Sequence, residues 1–468
     1  MKKFLKIILS LLLFVVIGYF VYTQYQKKAV LQDVIYTDAE TVIKVGLHDL
    51  KKTLVLDALS NPKYYWDNAK LSKLKKDKDT VEDDGKGIDL QPYSLVLYTV
   101  KNVKNTLFTT LKIDDAALFD VFAKQYFKEK NSTITTENYQ YALDENAKLL
   151  FAWNSNHLVV ALNPQGSFEA CKSVFDAILV ENKLISDKNH PFVEKLSASN
   201  DHITYLKGNS KVSLNFNDGQ ALLDGVLYTK LPSTFKNQTN YSTIPNASFQ
   251  LYFDSNFAHE QNKEALISLL DDASFFEKNN IDVRALLNKS TGNFSLSIKG
   301  TTQQTDTIIT YEYDDNFDKV ETKITQQKQA PIISIDLGLE NGMNSYLKQQ
   351  GAVKNGILKA IPYYTFYADK DSTNTAFSTI EDTLLSPQKT GSYFFNLETN
   401  FAALQQDVQI SKVDKLVELI TSLRITAQQT TENNIIVKGK LDAPEPDINI
   451  LSQVFFGMQV KDSIDLAP

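Results

Sequence analysis

The stretch that decides the fold class is LLFAW-NSNH-LVVAL, residues 149–162. Two apolar runs typical of strands, Leu149–Trp153 and Leu158–Leu162, flank four polar residues that favour a tight turn. Strands joined by so short a loop run antiparallel. The segments Leu423–Thr430 and Asn434–Leu441 form a second hairpin of the same kind. The sequence therefore predicts antiparallel sheets.

Other segments of the chain alternate between two periodicities. Strand-like runs are Tyr93–Val100, Leu107–Ile113, Phe294–Lys299, Ile308–Tyr313, Ile332–Leu337 and Tyr363–Tyr367. Apolar residues three or four positions apart predict helices at Leu118/Phe119/Phe122/Tyr126, Phe168/Cys171/Phe175/Ile178, Leu266/Leu269/Leu270 and Val413/Leu416/Val417/Ile420/Leu423. Helices packed on one face of antiparallel sheets give an α+β fold.

The chain of 468 residues is long enough for several domains. The polar segment Lys230–Ala247, which holds Pro232 and Pro245, predicts a linker between two similar halves. The predicted organisation is an anchor at 1–28, α+β domains at 33–230 and 247–445, and a tail segment at 446–468.

A local pattern occurs three times, at residues 253–257, 313–317 and 397–401. In each copy, acidic, Ser, Thr or Asn residues follow a strand-like run and precede a phenylalanine. Short polar side chains of this kind accept the free N–H groups of a starting helix. We therefore interpret the pattern as a strand–turn–helix unit rather than a set of cation sites, since each copy has only one or two carboxylates.

The N-terminus predicts a membrane-spanning helix. Lysines at 2, 3 and 6 precede a strongly apolar run from Ile7 to Tyr22, and Lys27 and Lys28 follow it. The alternative is a cleaved secretory signal, but the bulky, polar residues 21–28 do not fit a signal-peptidase site. The predicted anchor residues are Ile7, Leu11, Leu12, Leu13, Phe14, Val15, Val16, Ile17, Phe20 and Val21.

Composition excludes several classes of function. The net charge is −7, and only Arg284 and Arg424 are arginines, so a nucleic-acid binder with its basic, arginine-rich face is not expected. Cys171 is the only cysteine, which rules out an intrachain disulfide and a multi-cysteine metal site. Its position in a helical stripe predicts a buried thiol.

The sequence contains no phosphate-binding loop, no nucleophile elbow and no zinc-protease motif, so we predict no catalytic, cofactor-binding or metal site. A mixed-charge segment, Ser72–Asp89, fails the spacing of a calcium loop. His157 and His202 are expected at the surface. Two aromatic clusters, Tyr64–Trp66 and Tyr363–Tyr367, are expected to pack in the core or to form a binding surface.

The segment Ile35–Val45, followed by Leu47–Lys52, resembles the start of membrane-anchored Bacteroidota-type envelope proteins of unknown function. In that family a strand follows a P-x-D-A-x-x-V-like phrase and a short helix comes next; Tyr36 stands at the family's proline position. The resemblance implies an α+β extracytoplasmic region and no catalytic residues. Five tripeptides, such as Asp306-Thr307-Ile308, also resemble the O-glycosylation signal of exported Bacteroidota proteins.

These observations predict a single-pass protein of the inner (cytoplasmic) membrane with a cytoplasmic N-terminus and a periplasmic bulk. Its expected partners are membrane lipid, through the N-terminal helix, and another envelope protein or polymer. A binding or structural role is preferred over an enzymatic one. The alternatives are an envelope-polymer hydrolase with paired carboxylates and a carrier of apolar ligands in an aromatic-lined groove.

Overall fold

The computed structural model describes residues 25–73, 86–88, 93–162, 168–229, 242–255, 257, 259–270, 274–278, 281–313, 319–339, 343–358, 363–368, 375–381, 388–389, 393–408, 419–431 and 433–464. The chain divides into two compact units. The N-terminal unit comprises Met1–Asn217 and Phe455–Pro468, and the C-terminal unit comprises Asp218–Val454. Residues 230–241 of the predicted linker lie outside the described residues, so the predicted domain bounds stay a prediction.

The N-terminal unit is built on an antiparallel sheet. Strands β1 to β9 are Ala39–Val45, Leu95–Val100, Val103–Lys112, Thr135–Thr136, Gln140–Asp144, Leu149–Trp153, His157–Leu162, Ile203–Lys207 and Ser210–Asn217. Hydrogen-bonded neighbours follow the order β4-β5-β6-β7-β3-β2-β1-β8-β9. Helices α1 to α5 are Leu47–Ser60, Pro62–Lys73, Ala116–Glu129, Phe168–Leu179 and Pro191–Ala198.

The hairpin of β6 and β7 confirms the prediction made from residues 149–162, with Leu149 opposite Leu162 and Trp153 opposite Leu158. Asn154 fixes its turn, because its side-chain oxygen accepts the backbone N–H groups of Asn156 and His157 at 2.8 Å each. An asparagine that binds the backbone two residues on is a standard way of closing such a loop.

Helices α3 and α4 cover opposite faces of the same strands. Leu150 and Ala152 of β6 pack in one core cluster with Cys171 and Phe175 of α4. Trp153, on the other face of β6, packs in a second cluster with the phenylalanines of α3. Successive side chains of a strand point to opposite faces, which explains this division. The prediction that helices lie on one face is therefore wrong for these strands, whereas the predicted burial of Cys171 is confirmed.

The C-terminal unit also contains a long antiparallel sheet. Strands β10 to β22 are Gln220–Tyr228, Ser242–Thr243, Phe249–Asp254, Ser290–Tyr313, Lys319–Leu339, Val353–Lys354, Ile357–Leu358, Phe366–Ala368, Thr375–Ser378, Gln388–Lys389, Phe395–Asn400, Ser422–Thr431 and Asn434–Asp442. Their order is β10-β22-β21-β20-β12-β13-β14-β18-β17-β16-β15, with β11 and β19 paired separately. Helices α6 to α10 are Glu260–Leu270, Ser274–Lys278, Val283–Leu287, Met343–Gln349 and Phe401–Val408. Helix α11, Ile450–Ile464, has its residues from Phe455 onward in the N-terminal unit.

The α+β class with antiparallel sheets is confirmed, and some predicted elements change. The two runs Phe294–Lys299 and Ile308–Tyr313 belong to one strand, β13. Leu423, predicted at the end of a helix, lies in β21, and residues 409–418 lie outside the described residues. That the two units are similar halves stays a prediction.

The strand–turn–helix order is confirmed at the first and the third copies of the pattern, the two that precede an apolar helical stripe in the sequence. Asn400 ends β20, and its side-chain oxygen accepts the N–H of Ala403 in the first turn of α10 at 3.0 Å. The copy at 253–257 ends β12 and precedes α6, which begins at Glu260 and contains the predicted stripe. The copy at 313–317 follows β13 and precedes the strand β14, and its residues 314–317 lie outside the described residues.

Candidate functional site

Helix α1 turns apolar side chains to solvent. Val55, Leu56 and Leu59 are 58%, 54% and 73% exposed, whereas Asp57 is buried. Residues three and four apart lie on one side of a helix, so these three side chains form a single stripe. We call Val55, Leu56 and Leu59 the outer face of α1. Its exposure is unusual, because a surface helix ordinarily keeps its apolar stripe toward the core.

The inner side of α1 is fixed by polar contacts around Asp57. Its carboxylate accepts hydrogen bonds from the Asn61 side chain at 2.8 Å and from the Tyr65 hydroxyl at 2.5 Å. Asn61 follows the last residue of α1, and Pro62 begins α2, a position that suits a residue without an N–H group. Asp57 therefore joins α1 to α2 through a buried, hydrogen-bonded carboxyl group.

The first aromatic cluster lies on α2 and has a half-buried part and an exposed part. Tyr64 and Tyr65 pack edge-on against Phe456, with ring centroids 6.0 and 5.7 Å apart. Trp66 is 65% exposed. Exposed tryptophans contribute strongly to protein interfaces, because one side chain covers a large area. A binding role for this cluster therefore stays a prediction.

His202 holds the middle of α1 and is buried, so the prediction that it lies at the surface is wrong. The backbone N–H of Phe216 donates to its Nδ1 at 2.9 Å. Its Nε2 lies 2.9 Å from the Thr53 hydroxyl of α1. With Nδ1 acting as acceptor, the ring is neutral and Nε2 carries the proton. Burial lowers the pKa of His202, consistent with this neutral form.

Lys44 lies beneath the start of α1 and is almost fully buried. Its Nζ donates to the carbonyl oxygens of Leu196 and Ser199 at 3.0 and 2.6 Å, at the C-terminal end of α5. Burial lowers the pKa of Lys44 to about 8, and the nearby Asp49 opposes this shift. An ammonium group suits the negative end of a helix dipole. Lys44 therefore caps the C-terminal end of α5.

The described carboxylates show no raised pKa. Among the described residues, the carboxylates with pKa values that depart from the ordinary range are Asp144, Asp201 and Glu264, and all three pKa values are lowered. A general acid in a glycosidase needs a raised pKa, which is the opposite direction. Within the described part of the chain, no three His, Cys, Asp or Glu side chains are grouped to hold a metal ion.

An open cavity of about 600 Å³ lies at one end of the N-terminal sheet. Glu40 at its rim forms an ion pair with Lys207 at 3.1 Å. The described residues that line the cavity include no aromatic side chain, whereas the carrier hypothesis expects an aromatic-lined groove. The lining residues are Glu40, Thr99, Val100, Lys101, Val103, Lys104, Asn105, Thr106, Leu107 and Leu162.

The second aromatic cluster is also split. Phe366 is buried in the C-terminal unit, and Tyr363 is 75% exposed. The Lys328 ammonium lies 5.2 Å from the ring centre of Tyr364, at cation–π distance. These side chains do not converge on one site, so they do not support an aromatic ligand pocket.

The predicted anchor residues, Ile7 to Val21, lie outside the described residues, as do residues 74–85 of the mixed-charge segment. Across the described ranges, no helix has the length and apolar character needed to cross a bilayer. The described part of the chain begins with helical residues 25–29, and Leu31, two residues later, is fully buried in the N-terminal unit.

The chain matches no family model, and no curated protein matches it. Two solved structures are similar at a low level: TP0453 in its crystal form III, with a TM-score of 0.20, and in its crystal form I, with a TM-score of 0.19. Both are 9% identical to this chain and cover 73% of it, together with 89% and 88% of their own chains.

A fall in pH is expected to destabilise the N-terminal unit through His202. Because its folded-state pKa lies below the ordinary 6.5, its contribution to stability is fully present above pH 6.5 and is lost as the pH falls through the lower folded-state value. Urea unfolding, followed by the fluorescence of Trp66 and Trp153, measures this slope between about pH 7.5 and about pH 5.

The substitution His202→Gln is expected to cost about 1–2 kcal/mol at neutral pH, since the Phe216 N–H loses its acceptor. It should also flatten the pH slope. A smaller slope remains, because burial lowers the pKa of His157 as well. An unchanged slope in the variant would show that His202 does not carry the pH dependence.

Proposed function

We propose that this chain is a single-pass protein of the inner membrane, with its bulk in the periplasm, and that it has a binding or structural role in the cell envelope. The apolar run from Ile7 to Tyr22, with lysines on both sides, supports the anchor. Leu31, nine residues after Tyr22, is fully buried in the N-terminal unit. Nine extended residues span at most about 30 Å, so the anchor would keep this unit close to the bilayer.

The outer face of α1 is the observation that carries the binding role. Leu59 is 73% exposed although the inner side of the same helix is fixed by Asp57 and by Thr53. Exposed groups of apolar side chains mark interaction sites in soluble proteins. We infer that the partner is another envelope protein, which would cover Val55, Leu56 and Leu59, while lipid contacts only the N-terminal helix.

The test places a photo-crosslinking amino acid at Leu59 in the full, membrane-inserted chain. One discrete protein adduct is the expected result, and the same probe at Val121, which is 64% exposed on α3, should give none. Adducts to lipid alone, or equal labelling at both positions, would contradict the proposal.

The paired variant Leu56→Asp/Leu59→Asp is expected to weaken partner binding by about tenfold or more, since each buried interface leucine contributes on the order of 1 kcal/mol. Stability should change by less than about 0.5 kcal/mol per site, because both side chains are exposed. The matched control is Leu118→Asp/Val121→Asp on α3, which should bind normally. Co-purification of the crosslinked partner with each variant gives the comparison.

A reporter enzyme fused to the C-terminus tests the location. Activity of a reporter that functions only in the periplasm supports the proposed topology. Recovery of the chain from a salt-washed soluble fraction, with a new N-terminus beyond Tyr22, would support the cleaved-signal alternative instead.

A further inference from the structure

A wide bulge separates β3 from β2 beside the open cavity of the N-terminal unit. Tyr98 pairs with Phe108, and Val100 pairs with Val103. Between these two pairs, β2 has the single residue Thr99, whereas β3 has four residues. Extra residues in one strand interrupt the hydrogen-bonded ladder and bend that strand. Thr99 and all four of these β3 residues line the cavity of about 600 Å³, so the bulge forms much of its wall.

Local contacts fix the conformation of the bulge. Asn105 has a φ of +54°, a left-handed conformation that asparagine adopts more readily than most residues. The Thr106 hydroxyl donates to the Lys104 carbonyl at 3.1 Å, and Thr106 is buried. Leu107 pairs with Leu162, the last residue of β7, which joins the end of the bulge to the sheet. Bulges are common beside functional sites, where they turn side chains in a new direction.

Much of the cavity lining is apolar. The apolar lining residues are Val100, Val103, Leu107 and Leu162. Leu162 is 45% exposed, so a ligand that covers it would gain free energy by removing apolar surface from water. Pockets for small molecules have volumes of about 300–1,000 Å³ and mostly apolar walls. The cavity therefore suits a short apolar chain.

The charged lining residues give the cavity a positive balance. Lys101 lies in the turn between β2 and β3, Lys104 lies in the bulge, and both are exposed. Among the described lining residues, Glu40 alone is acidic, and its carboxylate is paired with the Lys207 ammonium at 3.1 Å. The negative charge of Glu40 is thus already balanced. A lysine ammonium is a compact charge that binds carboxylate or phosphate groups.

We propose that this cavity binds a small anionic amphiphile, a molecule with one negatively charged group and a short apolar chain. The chain would cover Leu107 and Leu162, and the charged group would lie near Lys101 and Lys104. The described lining residues include none from α1. The inference is therefore independent of the outer face of α1 and of the partner proposed for it.

Octanoate is a suitable probe, because it joins a carboxylate to a short chain. The full chain, held in phosphatidylcholine nanodiscs, is titrated by isothermal titration calorimetry against a blank of empty nanodiscs. Saturable binding of octanoate is expected. Octylamine, with the same chain and a positive charge, should bind about tenfold more weakly or worse, and so should acetate, which lacks the chain. No saturable octanoate binding, or equal binding of octylamine or acetate, would overturn the proposal.

Charge variants test the role of the lysines. Lys101→Gln/Lys104→Gln should weaken octanoate binding by about three- to tenfold, the effect of losing two exposed charge contacts. Lys128→Gln/Lys188→Gln makes the same change of net charge at exposed lysines outside the lining and should bind as the native chain does. Glu40→Gln should strengthen binding by about two- to threefold, since it leaves Lys207 without its carboxylate partner. Equal losses in the two double variants would contradict a site at the bulge.

A photoreactive octanoate with a diazirine on its chain tests the location. Peptide mapping should find the label within residues 99–107 or at Leu162, and an excess of octanoate should remove it. Leu162→Gln should reduce labelling by about threefold or more, since less apolar surface is then covered, with far-UV circular dichroism confirming the fold. Label found only elsewhere in the chain, or label that octanoate does not displace, would overturn the assignment of the cavity.

Discussion

Gly219→Ala is expected to destabilise the C-terminal unit by about 2–4 kcal/mol. Gly219 has a φ of +64°, and a Cβ atom built on it would lie 2.6 Å from the Cα of Pro446. Its N–H donates to the Ile448 carbonyl at 2.8 Å, and its carbonyl accepts from the Ala443 N–H at 2.8 Å. For an alanine, the left-handed conformation costs about 1–2 kcal/mol. Its Cβ would also have to displace the backbone of Pro446, which lies between the two residues that form these hydrogen bonds.

Gly208→Ala provides the control for Gly219→Ala. Gly208 has a φ of +56°, but a Cβ there would meet no atom within 4 Å. It should therefore cost only about 1–2 kcal/mol, the conformational part. Thermal unfolding, together with hydrogen exchange at residues 219–228 and 443–449, separates the two effects. Equal losses in the two variants would show that the close approach to Pro446 costs nothing.

Phe175→Ala is expected to cost the N-terminal unit about 3–5 kcal/mol, the range for removing a fully buried aromatic ring. Phe175 is 0% exposed. Its ring centre lies 6.3 Å from that of Phe108 and 5.9 Å from that of Phe168. Its loss would leave a cavity between α4 and the sheet, because close-packed neighbours relax only in part.

Phe455→Ala is the matched control for Phe175→Ala, since the same atoms are removed from a side chain that is 54% exposed. It should change stability by no more than about 0.5 kcal/mol. Urea unfolding monitored through Trp153, which is buried on the other face of the same strands, reports on both variants. Similar losses would contradict the position of Phe175 at the centre of the core.

Elements with strong local signals were predictable from the sequence. The hairpin at 149–162 follows from an apolar–polar–apolar pattern that Asn154 closes by itself. Helices α3 and α4 follow from apolar stripes that pack against the sheet. The family that Ile35–Lys52 resembles has a strand and then a short helix at this point, and the structure has β1 and α1 there. In each case, residues close in the chain determine the structure.

Features that depend on distant residues were not predictable. Residues 300–307 are polar and show no apolar alternation, so the sequence predicts two separate strands where the structure has the single strand β13. Pairing with β14 makes β13 continuous. His202 is buried because Thr53, far away in the chain, supplies a hydrogen bond. The sequence gives only a weak signal for the exposed outer face of α1. Apolar residues lie on more than one side of this helix, namely Leu54, Val55, Leu56 and Leu59.

The sheet of the C-terminal unit also has a consequence for synthesis. Strand β10, at Gln220–Tyr228, pairs with β22, at Asn434–Asp442. The ribosome therefore makes β10 about 200 residues before it makes the partner strand. At about 5–20 residues per second, that delay is on the order of 10–40 s. A ribosome that stalls before Asn434 would leave β10 without this neighbour, and the nascent chain would then need a chaperone to keep the strand from pairing wrongly.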